Sequence, residues 1–194
     1  MVMPASVSPT RVLRGALFTV VGVGFFVVWL RMLDSSGQIP EAPSNWFGVL
    51  FFSALLIALA FALPTFARQI GGRIVFRASL VPAVGAGLGG VANILEDGLH
   101  LDWAFWLFIL SLAIIDFGLF AFAIVVAFIG RDRGRLLAAV PAATLAAVLL
   151  FPVIGGVLML VAWLAAAALA LGRPAQREHE VGEELGSSEA HASP

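Results

Sequence analysis

The stretch Leu136–Leu171 holds 36 consecutive residues with no Asp, Glu, Lys or Arg among them. As one helix it would run roughly 54 Å, far beyond a hydrocarbon core of about 30 Å. Such a segment has to turn back on itself. The hinge expected from the residues is Phe151-Pro152-Val153-Ile154-Gly155-Gly156. Proline there removes a helix hydrogen bond, and the glycine pair permits a tight turn.

The rest of the chain has the same character. Hydrophobic residues make up 61% of it and charged residues 12%, and the mean hydropathy is +1.03. A soluble domain is about half apolar and a quarter charged. The sequence therefore predicts an all-α integral membrane protein. Apolar stretches lie at about 15–30, 47–66, 80–95 and 103–129, and folding back gives two more at 136–151 and 154–171. The expected architecture is a bundle of six transmembrane helices, or five if 136–171 does not fold back. Residues 1–172 form one transmembrane domain. The tail 173–194 carries five Glu, with Ser, Gly and Pro and few apolar residues, and is expected to be a disordered, acidic cytoplasmic tail.

The arginines choose between five and six spans. Arg11, Arg14, Arg68, Arg73, Arg77, Arg131, Arg133, Arg135, Arg173 and Arg177 all fall on one side of a six-span chain, and Arg31 alone falls on the other. That other side carries Asp34, Glu41, Glu96, Asp97 and Asp102. The positive-inside rule then puts both termini in the cytoplasm of a cell (inner) membrane protein. Trp29, Trp46, Trp103 and Trp106 share the outer level, where indoles favour the interface. Arg11 and Arg14 before span 1 resemble a secretory leader, but no Ala-x-Ala site follows them. Segment 67–79 mixes Arg with Ile70, Ile74, Val75 and Phe76. It is expected to lie along the cytoplasmic interface, with Ser79 capping span 3 and Pro82 in its first turn.

Residues the chain lacks exclude several functions. It has no Cys and no Lys, so thiolate metal sites, Fe–S clusters, disulfides and lysine Schiff bases are ruled out. The all-arginine basic set fits the codon usage of a GC-rich bacterial genome. Two of the three His, His179 and His191, stand in the tail, leaving too few for a membrane haem or a di-iron site. A net charge of −1 with no basic surface argues against a nucleic-acid partner.

Three features carry the candidate chemistry. Asp116 stands in Leu112-Ala113-Ile114-Ile115-Asp116-Phe117-Gly118, roughly 20 Å along the helix from Trp103 and near the bilayer midplane. A charged aspartate there costs about 2.5–3.5 kcal/mol. It must face the bundle and hold either a proton or a hydrogen-bond partner, and the carbonyls of Gly87–Gly90 are the expected partners. The functional role is a proton or cation relay, and the structural role is a hydrogen bond between helices. The second feature is Asn93, Glu96, Asp97 and His100, spaced i, i+3, i+4, i+7. These share one face if the helix persists to residue 100. Glu96, Asp97 and His100 could then hold a divalent metal, the one cofactor the residues suggest, or respond to pH. Otherwise they form an acidic outer loop, with Asp102 capping span 4.

The third feature is Gly85-Ala86-Gly87-Leu88-Gly89-Gly90, which matches G-x-G-x-x-G. No strand precedes it, so it is read as helix packing through Gly85, Gly87, Gly89 and Gly90 rather than as a dinucleotide loop. No nucleophile has a base beside it in sequence, which weighs against an enzyme. The expected function is a transport or ion-coupled role centred on Asp116. The alternatives are an accessory subunit, packing through Gly/Ala faces onto another membrane protein or a second copy, and an enzyme acting on a lipid or isoprenoid at the outer leaflet.

Overall fold

The computed structural model describes residues 8–34, 46–129 and 137–172. Among these residues the chain is helical, with no strand. Helix α1 spans Pro9–Asp34, α2 Trp46–Ile70, α3 Arg73–Asn93 and α4 Trp103–Ile129. Two shorter helices follow, α5 at Ala139–Leu149 and α6 at Gly156–Leu171. Five-residue π-helical segments, Ile94–Gly98 and Phe151–Gly155, extend α3 and join α5 to α6.

Five helical stretches are long and apolar enough to cross a membrane: Pro9–Leu33, Trp46–Ile70, Arg73–Gly98, Trp103–Ile129 and Phe151–Leu171. Helix α5 has 11 residues and reaches about 16 Å, well short of a ~30 Å core. The span expected at 136–151 is thus represented by a shorter helix. Pro141 lies in its first turn, and Leu150 leaves helical geometry at φ −105°, ψ 19°. Beyond Leu150, the N–H groups of Val153, Ile154 and Gly155 all converge on the Leu150 carbonyl at 3.0 Å. This knot of bonds turns the chain. Helices α5 and α6 pack side by side, which a straight continuation through five residues would forbid, since it holds them about 10 Å apart or more.

Each helix packs on its neighbours in chain order, and α6 closes the ring on α1. The helix registers show the antiparallel alternation. Gly15 lies against Leu171, Gly22 against Leu160 and Trp163, and Gly156 against Trp29, so α6 runs down α1. Gly85 meets Ile115 and Gly89 meets Ser111 across α3 and α4. Aromatic side chains pack where α1, α2 and α6 meet. Phe18, Phe66 and Trp163 are fully buried, with ring centroids 5.5–6.3 Å apart. The outward face is also apolar: Phe47, Phe117, Phe128 and Val153 are each at least three-quarters exposed. Helices that are apolar all round suit a lipid solvent.

The turn between α2 and α3 differs from the sequence expectation. Helix α2 continues to Ile70, and only Gly71 and Gly72 separate it from α3. Both adopt positive φ, 93° and 92°, a conformation open to glycine without strain. The glycine pair reverses the chain in two residues, so segment 67–79 stands as helix ends instead of lying along an interface. Ser79 is inside α3 and donates to the Phe76 carbonyl at 2.7 Å, and Pro82 is mid-helix. The tail 173–194, Glu41, and Arg131, Arg133 and Arg135 lie outside the described residues.

Candidate functional site

Asp116 is the central residue of α4, thirteen residues from Trp103 and thirteen from Ile129. It sits at the edge of the packed face, with Ile115 and Leu119 buried on one side and Phe117 and Phe120 exposed on the other. Its side chain is half-buried. The oxygen Oδ1 is shielded and has no hydrogen-bond partner. The glycine carbonyls do not pair with this oxygen, and the helix register explains why. Gly85 is the residue level with Ile115, while Gly89 faces Ser111, more than a turn away along α4. Buried polar atoms are nearly always paired, so an orphaned one calls for an explanation.

Asn93 is buried and points away from Asp116, toward α2. Its Nδ2 donates to Ser53 Oγ at 3.0 Å and to the Val49 carbonyl at 3.3 Å. This clamp ties α2 to α3 and accounts for Asn93 structurally. Ser53 was not visible as its partner in the sequence, because register between helices is not written in a single chain. Replacing Asn93 by Leu should lower the thermal midpoint in detergent, by the equivalent of about 0.6–2 kcal/mol. Ser53→Ala should cost less, because Nδ2 keeps the Val49 carbonyl. Equal midpoints for wild type and Asn93→Leu would count against the clamp.

The outer residues do not form one helical face. The helix widens at Ile94–Gly98, and the N–H of Leu99 donates five residues back to Ile94 at 3.0 Å. Packing explains the break, since Gly98 lies against the Trp46 ring and leaves no room for a side chain. His100 follows in left-handed geometry at φ 53° and is exposed. Glu96 is half-buried and Asp97 exposed. Among the described residues no three His, Asp or Glu side chains come close enough to hold a metal ion. The α4 helix begins one residue after Asp102, whose carbonyl accepts the Phe105 N–H at 3.3 Å.

The four glycines are not equivalent. A Cβ on Gly85 would lie 2.9 Å from Ile115 N, one on Gly89 2.8 Å from Ser111 Oγ, and one on Gly90 2.9 Å from the Ser53 carbonyl. One on Gly87 would meet only Ala60 Cβ, at 3.9 Å. Three of the four thus mark close helix contacts, with α4 for Gly85 and Gly89 and with α2 for Gly90. Two indoles also leave a polar atom unpaired: the Nε1 atoms of Trp163 and of Trp29, which the sequence placed in the outer belt, are buried and unpartnered.

No protein-family model matches the chain, and neither the curated proteins nor the solved structures include a significant match to it.

Proposed function

We propose that this chain is a six-span membrane protein, with both termini cytoplasmic, that moves a proton or small cation through Asp116. The observation that carries the reading is the orphaned Oδ1 at the midpoint of α4. An aspartate kept for helix packing gains its stabilisation from a hydrogen bond, and this shielded oxygen makes none. Ionisable groups in a bilayer interior are expensive, and they mark ion and proton pathways. The alternatives find less support. Three of the four glycines that an accessory subunit would offer a partner, Gly85, Gly89 and Gly90, pack inside this chain instead. The outer cluster that a lipid enzyme would need is split, with His100 exposed in left-handed geometry beyond the helix that carries Glu96 and Asp97.

The test is ion flux in reconstituted vesicles that carry an entrapped pH or cation indicator under an imposed potential. Wild-type vesicles should conduct above protein-free vesicles, and Asp116→Asn vesicles should not. Wild-type flux no greater than the protein-free leak would end the relay reading.

The topology rests on charge and on helix alternation. Arg11, Arg14, Arg68, Arg73 and Arg77 cluster at one end of the bundle, and Trp46, Glu96, Asp97, Asp102 and Trp103 at the other. A reporter fused after residue 173 should read cytoplasmic, and one inserted at Gly98 should read external. A cytoplasmic signal from Gly98 would refute six spans.

A further inference from the structure

We propose that the groove between the start of α1 and the end of α2 binds a phosphate group, carried there by an anionic phospholipid. A cavity of about 220 Å³ opens at this seam, lined by Thr10, Leu13, Arg14, Leu17, Thr65 and Arg68. Its shape follows from two helical faces. Residues 10, 13, 14 and 17 recur at helical spacing on α1, and 65 and 68 recur on the antiparallel α2. The volume is below the ~300 Å³ at which drug-sized pockets begin. It suits a headgroup phosphate and its glycerol.

The charge of the groove selects an anion. Two guanidiniums line it and no carboxylate does. The described acids lie elsewhere: Asp34 at the far end of α1, Glu96, Asp97 and Asp102 at that same opposite end of the bundle, and Asp116 at the midpoint of α4. Arg68 is held in place, with its guanidinium carbon 4.8 Å from the centroid of the Phe76 ring on α3. An arginine fixed by a ring face keeps its forked N–H groups free for a planar, bidentate contact with phosphate oxygens. Thr65 Oγ1 donates to the Phe61 carbonyl at 2.7 Å and so turns its lone pairs outward. Its partner is then a donor such as Arg14 or Arg68, or the hydroxyl of a glycerol.

The other wall argues for a lipid as carrier. Leu17 lies about one turn deeper than Arg14 toward the middle of α1, with Leu13 beside Arg14, and Leu17 marks the path an acyl chain would take below its headgroup. Basic pockets between membrane helices are recognition sites for anionic headgroups of this kind. A freely soluble phosphate would gain nothing from these leucines. This site is separate from Asp116, and its test does not depend on the relay.

The experiment measures binding to the detergent-solubilised full chain by native mass spectrometry, with the thermal midpoint as a second readout. The probes are short-chain phosphatidate, short-chain phosphatidylcholine and inorganic phosphate. Wild type should retain phosphatidate and gain thermal stability, with little response to phosphatidylcholine. Losing either guanidinium, in Arg14→Gln or Arg68→Gln, should weaken phosphatidate by about tenfold or more. Arg77→Gln, outside the groove, should leave binding unchanged. Equal responses to phosphate and phosphatidate would keep the anion site but reject the lipid as carrier. The proposal is overturned if wild type binds neither probe, which is also the outcome expected if an acidic segment of the chain occupies the groove. It is equally overturned if both arginine variants bind phosphatidate like wild type.

Discussion

Asp116→Asn should abolish ion flux, a loss on the order of a hundredfold or more, while leaving the fold intact. Asparagine matches aspartate in size and keeps a carbonyl, but an amide cannot take up and release a proton. The informative partner variant is Asp116→Leu, for which the two roles predict opposite outcomes. If Asp116 bridged two helices, leucine would strand a partner and destabilise the protein. Since Oδ1 has no partner, leucine instead removes a polar group that the interior does not satisfy. At mid-membrane the exchange is favourable by about 3 kcal/mol on insertion scales. Asp116→Leu should therefore be as stable as wild type or more so, and inactive. Stability gained where activity is lost is the mark of a residue retained for function. Thermal midpoints and vesicle flux measured on the same preparations decide it. A markedly lowered midpoint in Asp116→Leu would reveal a structural bond, and undiminished flux in Asp116→Asn would refute the relay.

What the sequence made legible follows from which forces act along one chain. Helix existence depends on local apolar runs, so all the long helices could be placed. The turn at Phe151–Gly155 could be read because a 36-residue apolar segment exceeds any membrane and a Pro with a glycine pair marks the weak point. Helix ends were less legible. Gly71-Gly72 reverses the chain in two residues, and the sequence pointed instead to Ser79, a reasonable cap that the fold does not use. Contacts between helices were not legible at all. Asn93 is polar wherever it points, and only the register of α2 against α3 selects Ser53 and Val49 as its partners. The same holds for Arg14 and Arg68. Their shared side was evident from the span count, but their shared groove depends on how α1 and α2 are set against each other.

Gly118 shows the cost of that blindness, and it should be the least replaceable glycine between α3 and α4. It lies outside the glycine-rich run that draws the eye in the sequence, yet a Cβ there would sit 2.6 Å from Pro82 N and 2.8 Å from Pro82 Cδ. The opposing atoms are a backbone nitrogen and a rigid ring, so no rotamer change relieves the clash. The helices α3 and α4 must separate, and this contact is shared with Gly85 against Ile115 and Gly89 against Ser111. Association of helices in lipid relies on close packing rather than on the hydrophobic effect, so a lost close approach is not offset by burial elsewhere. Overpacking of this kind costs about 1–3 kcal/mol, which for a domain of this size lowers the midpoint by about 2–12 °C. Gly118→Ala should fall in that range, and Gly118→Leu should fail to yield folded protein. Gly87→Ala is the control from the glycine run itself. With only Ala60 Cβ at 3.9 Å, it should be neutral or slightly stabilising, as alanine favours helix over glycine. Thermal unfolding of the three variants in detergent ranks them. If Gly87→Ala proves as damaging as Gly118→Ala, the packing of α3 on α4 is not the one described.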